Sequence, residues 1–157
     1  MMNEVRIDRL ERMVALLDKH IAQPEINFDL RSWVMTRTER KLSNFFRKTE
    51  CNTAACAIGL ALVSREFESE GLHTAYGIVE TITPAFEGAT SFEAISKFFG
   101  LNWDDTQNFF SPLRYEVHTG KEAAKAVRNR ICKFIGNHRF EETKKQLAAM
   151  TPEKEPA

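Results

Sequence analysis

Cys51-Asn52-Thr53-Ala54-Ala55-Cys56-Ala57-Ile58-Gly59 is the stretch on which the reading of this chain turns. Small residues dominate it, and Leu60, Val63 and Phe67 follow Cys56 at spacings that gather on one helical face. The pattern predicts a central, buried helix over Thr53 to Phe67, in which Ala54, Ala55, Ala57, Gly59 and Ala61 let neighbouring backbones approach closely. With Asn52 as N-cap, Cys51 falls at N′ and Cys56 at N4, the two positions whose side chains meet in a hydrophobic staple. Free cysteine packs as a small hydrophobe, so this geometry accounts for the spacing mechanically. The same entrance admits chemistry. Unpaired N–H groups and the helix dipole stabilise a thiolate or an anionic ligand, which makes Cys51 a candidate nucleophile, Cys56 a resolving or packing thiol, and Asn52 with Thr53 a candidate anion cradle.

Working outward, Arg6 to Gln23 predicts a first helix, with Leu10, Met13, Val14, Leu17 and Ile21 on one stripe and Pro24 as its stop. Between it and the cysteines, Glu25 to Val34 reads as an irregular connection anchored by Ile26, Phe28, Leu30 and Trp33, and Thr36 to Glu50 reads equally as a short helix or a loop. Beyond them, His73 to Phe86 is rich in Thr, Ile, Val and Tyr and suggests two short extended pieces or irregular chain. Ser91 to Phe99 is a helix with Thr90 or Ser91 as N-cap and Gly100 as its stop; Asn102 caps the next, with Asp104 and Asp105 in its positive first turn and Pro112 closing it. Thr119-Gly120-Lys121-Glu122 has the form of a capping box before a helix that Gly136 is expected to end, with a last amphipathic helix over Phe140 to Met150. The expected fold is therefore mainly α: a compact, single-domain bundle of about five to six helices with irregular connections over 1–150, then a disordered tail over 151–157.

Composition agrees with a self-sufficient globular chain: 157 residues, 43% hydrophobic and 28% charged, far from a disordered composition. Twelve Phe against two Trp and two Tyr imply a core of apolar rings. No apolar run approaches the ~20 residues of a spanning helix, and Met1 to Arg12 is charged where a signal peptide would be apolar. A cytoplasmic protein with no membrane contact is expected, its three cysteines free thiols.

Formal net charge is zero, but charge is unevenly spread. Arg31, Arg37, Arg40, Lys41, Arg47 and Lys48 face one acid, Glu39, within their stretch; Lys121 to Lys145 is a second basic stretch, and Glu66 to Asp105 between them is acidic. Such runs usually face water, and the sharper reading is that Arg37, Arg40 and Lys41 help hold an anionic partner. Metal ligation is not indicated, because Cys51 and Cys56 have only Cys132 to join them. No cofactor fingerprint is present. Ala94 to Phe110 has the order helix, turn, helix, but Asp104 and Asp105 at the start of the second helix would repel phosphates, which argues against sequence-specific nucleic-acid binding. Catalysis by Cys51 needs a base; of His20, His73, His118 and His138, His118 beside Tyr115 is the first candidate.

Phe28, Asp29, Leu30 and Trp33, then Cys51, Thr53, Cys56 and Gly59, then Gly100-Leu101 and Phe109-Phe110 resemble a group of short, uncharacterised bacterial and bacteriophage proteins that carry Phe-Asp-Met/Leu-x-x-Trp and Cys-Gly-Thr-x-x-Cys-x-x-Gly. Asn52 replaces the usual glycine, and both are good N-caps. The resemblance implies a bacterial or phage cytoplasmic setting, and the group brings no established activity with it. The functional expectation is a non-enzymatic binding or regulatory module that engages a protein or an anionic small molecule, with self-association left open. The alternative is a cysteine-dependent enzyme or redox protein built on Cys51, Cys56 and His118.

Overall fold

The computed structural model describes residues 4–24, 26–36, 53–76 and 82–150. Helix α1, Ile7–Ala22, forms where the first apolar stripe predicts it, with Leu10, Met13 and Leu17 fully buried. The connection after it is anchored by buried Ile26, Phe28 and Leu30, but it also contains two short strands, β1 (Asn27–Phe28) and β2 (Val34–Thr36).

The helix expected over Thr53 to Phe67 is corrected at its start. Thr53–Ala55 is a strand, β3, and helix α2 covers only Ala57–Ser64. Alanine favours helix by a few tenths of a kcal/mol over most residues, but here the backbone has strand partners on both sides. β3 is the centre of a sheet ordered β1-β3-β2, parallel to β1 (Phe28 opposite Ala55) and antiparallel to β2 (Val34 opposite Ala55, Thr36 opposite Thr53). Pairing along both edges outweighs the local preference. Cys56 is consequently the N-cap of α2, not its N4 residue, and Thr53 lies in a strand instead of at a helix entrance. Cys51, Asn52, Arg37, Arg40 and Lys41 lie outside the described residues, as do Thr38 to Glu50 and the tail over 151–157.

A second sheet joins β4 (His73–Tyr76), β5 (Ile82–Phe86) and β6 (Ala89–Thr90), all antiparallel, in agreement with the extended pieces expected there. Glu87 and Gly88 connect β5 to β6 with φ of 46° and 81°, the two left-handed residues that a tight two-residue hairpin requires. The architecture is thus mainly helical with two small sheets, and not a pure bundle.

Helix α3, Ser91–Phe99, stops at Gly100 (φ 68°), where a side chain would strike the carbonyl of Glu4. Helix α4, Trp103–Phe110, is capped as predicted: Asn102 Oδ1 accepts the Asp105 N–H at 2.7 Å. Helix α5 runs unbroken from Gly120 to Met150. The stop expected at Gly136 and the separate last helix are therefore corrected; Gly136 keeps a helical φ, and glycine inside a helix costs only about 1 kcal/mol. α5 packs on α1, tied by Arg128 to Asp18 (2.7 Å) and Arg139 to Glu11 (2.5 Å). The core between these elements is a chain of rings, with Phe67, Phe86 and Phe99 each edge-on to Phe98 at 4.9–5.1 Å, and Phe110 stacked on Phe99. Among the described residues, no helix is long and apolar enough to cross a membrane.

Candidate functional site

The segment from Asp29 to Trp33 is pinned on two sides. Asp29 N–H donates to the Ala55 carbonyl (2.9 Å), Leu30 N–H to the His118 carbonyl (2.8 Å), and the Ser32 carbonyl accepts from Cys56 N–H (2.9 Å). Asp29 also folds the turn locally, accepting the backbone N–H of Arg31 at 3.0 Å and its guanidinium at 2.9 and 3.0 Å. These bonds to Arg31 hold the Asp29 carboxyl below the usual carboxylate range.

So held, Trp33 leans edge-on against Phe92 (4.9 Å between ring centroids), and Phe92 in turn meets Trp103 at 6.2 Å. Between this pair and the end of α4 lies an open cavity of about 220 Å³, lined by Leu30, Trp33, Phe92, Phe110 and Pro112, with Arg31, Ser32 and Ser91 supplying its polar groups. It exceeds the clefts beside Leu62 and His20, of about 110 and 70 Å³. A dry cavity of about 150 Å³ already admits benzene, so this one has room for a large apolar side chain. Ser91, on its wall, holds φ at 59°, a left-handed conformation that costs an L-residue about 1–2 kcal/mol.

The thiol of Cys56 is inert by placement. Its Sγ accepts the Gly59 N–H at 3.4 Å and lies 4.0 Å from the Trp33 carbonyl, and burial pushes its pKa up to about 11. Cys56 caps the entrance, which is lined by the buried Ala57, Ile58 and Gly59, and the Thr53 backbone is engaged in strand pairing. Cys56 and Cys132 are both free thiols. His118 is half-buried with Nε2 2.8 Å from the Tyr115 carbonyl, so that nitrogen carries the proton, and no hydrogen bond joins it to Cys56 among the described residues. Tyr115 fixes the same loop by donating its hydroxyl to the Phe109 carbonyl (2.8 Å) beneath the Arg130 guanidinium, and burial raises its pKa to about 12.

The structure therefore brings Cys56 and Trp33 together and leaves His118 outside their contact. No group of three or more His, Cys, Asp or Glu among the described residues could hold a metal ion. The cavity's walls at Ser91, Phe92, Phe110 and Pro112 carry no motif that sequence reasoning could have caught; they meet Trp33 only through the fold. Comparison with known protein families, with curated proteins and with solved structures returned no match.

Proposed function

We propose that this chain is a non-enzymatic binding module that grips a partner protein by one apolar side chain, seated in the cavity between the Trp33–Phe92 pair and the end of α4. The observation that carries the reading is the cavity itself: apolar walls, an aromatic pair on one side, and a few polar groups at the mouth, the usual constitution of a recognition pocket. Arg31 is already engaged by Asp29, so the pocket favours an uncharged anchor over an anion. The excess of basic residues over Arg31 to Lys48, including Arg37, Arg40 and Lys41, would favour an acidic partner. The cysteine-dependent alternative draws nothing from Cys56, whose thiol is buried and engaged as a cap.

The test uses the chain's two tryptophans. A Trp103→Phe variant leaves Trp33 as the only reporter. Titration with N-acetyl-phenylalaninamide and N-acetyl-leucinamide should give a saturable change in Trp33 emission at roughly millimolar Kd, about −4 kcal/mol, with N-acetyl-glycinamide silent and the response lost in Phe92→Ala. A linear, unsaturated response to all three compounds, or one that survives Phe92→Ala, would reject the pocket.

A further inference from the structure

The outer half of α5 carries an apolar stripe on the wrong side for its own core. Through Ile135 the helix buries Ala123, Ala124, Val127, Ile131 and Ile135. Continued at about 100° per residue, that face runs through His138, Glu142, Lys145 and Ala149, which are polar or small. Phe140, Leu147 and Met150 instead stand 63%, 59% and 77% exposed. With Gly136 and Thr143 they repeat at alternating four- and three-residue steps, on a line rotated by roughly 160° from the buried face. That is the spacing of a coiled-coil seam, and it is narrow: the five positions span about 80°, less than the broad apolar face an interfacial membrane helix presents.

Charge selects what covers it. Lys125 and Lys133 extend the same outward side toward the body of the protein, and Lys144 flanks the seam with its ammonium 5.5 Å from the Phe140 ring. Arg139 borders the other edge, tied to Glu11. Glu141 and Glu142 lie well away from the seam, on the flank and on the continuation of the buried face. A second copy laid parallel along this stripe would bring Arg139 against Lys144 of its partner, a like-charge pair. We infer that the outer half of α5 docks an acidic amphipathic helix of another protein, whose apolar positions interleave with Phe140, Leu147 and Met150 and whose carboxylates meet Lys133 and Lys144. This surface is separate from the Trp33 cavity and stands or falls without it.

The experiment uses the full chain and two fluorescein-labelled heptad peptides with Ile at a and Leu at d, one carrying Glu at e and g and the other Lys. Anisotropy should show the Glu peptide binding at low salt, weakening as salt rises, and the Lys peptide not binding. Phe140→Glu with Leu147→Glu should weaken the Glu peptide about tenfold or more while circular dichroism and Tm hold, because both sites are exposed; Lys144→Glu should weaken it with the apolar seam intact. Equal binding of both peptides, no binding of either, or full binding by the Phe140→Glu, Leu147→Glu variant would overturn the inference. So would self-association of the chain through this stripe, or recruitment by phosphatidylserine vesicles that the same variant abolishes.

Discussion

The carbonyl oxygen of Trp33 occupies the space that a side chain on Gly59 would enter: a Cβ there would lie 1.4 Å from that oxygen and 2.6 Å from its carbon. Backbone meets backbone at the point where α2 passes the segment that walls the cavity. Neither side can yield cheaply, since Cys56 accepts the Gly59 N–H and donates its own N–H to Ser32.

Gly59→Ala should therefore cost about 3 kcal/mol or more, at the upper end of overpacking losses. Gly136→Ala makes the matched control, because a Cβ there meets nothing within 4 Å and the residue is helical. It should stabilise by about 0.5–1 kcal/mol. Urea denaturation of both variants checks the pair; similar midpoints would mean that the close approach of Trp33 is not fixed.

Cys56 gives a pH signature. Its thiol ionises near 9.0 when unfolded and near 11 in the fold, so between these values the unfolded chain binds fewer protons than the folded one. Stability should be flat in this respect below pH 9.0 and fall as pH rises toward 11. In a Cys56→Ala variant that part of the alkaline decline should vanish. Iodoacetamide mapping at neutral pH offers a second check: half-exposed Cys132 should be modified well before Cys56, whose labelling should follow unfolding.

Arg9 should be hard to replace. It is buried on α1, donates from Nη1 to the Phe98 carbonyl at 2.7 Å, and lies with its guanidinium 4.0 Å from the Phe98 ring centroid. Glu70 takes its Nε at 3.4 Å and also pairs with Arg12, which reaches Glu66 as well. Arg9→Ala leaves the Phe98 carbonyl without this donor and should cost about 2–4 kcal/mol. Arg9→Lys should recover only part, because an ammonium cannot lie flat on the ring while donating in two directions. Thermal unfolding of both variants is sufficient; full recovery by Lys would assign the residue's role to charge alone.

The same contacts show how much of the fold was legible in the sequence. α1, α3 and α4 could be read because each carries its own signals: the stripe of Leu10, Met13 and Leu17, the stop at Gly100, the cap at Asn102. Local chemistry decides such elements. Thr53–Ala55 could not be read, because its strand exists only through β1 and β2, and nothing in Thr-Ala-Ala announces partners on both sides. Gly136 misled for a related reason. Glycine ends a helix when its φ turns positive, as at Gly100, and tertiary packing around the glycine decides whether it does. Of the candidate site, Trp33 stood out as an anchor, whereas Ser91, Phe92, Phe110 and Pro112 reach it from about sixty to eighty residues away in the chain.

Ser91 tests whether the cavity wall stores strain. It opens α3 with φ at 59°, no side-chain hydrogen bond caps that helix at Thr90, and it lines the pocket. Ser91→Gly removes the clash of Cβ in the left-handed region, worth about 1–2 kcal/mol, against about 0.5–1 kcal/mol of added unfolded-state entropy. A net gain between about 0 and about 1.5 kcal/mol is expected from these two terms. Ser91→Val should lose at least about 1 kcal/mol, since a β-branched residue fits this conformation worst. Chemical denaturation of the two variants gives the ordering Gly above Ser above Val. Val as stable as Ser would mean that α3 begins with ordinary helical geometry and that the pocket's polar mouth is shaped differently. If the ordering holds, Ser91→Gly also separates strain from recognition: it should leave the N-acetyl-phenylalaninamide response of Trp33 in place while raising the denaturation midpoint.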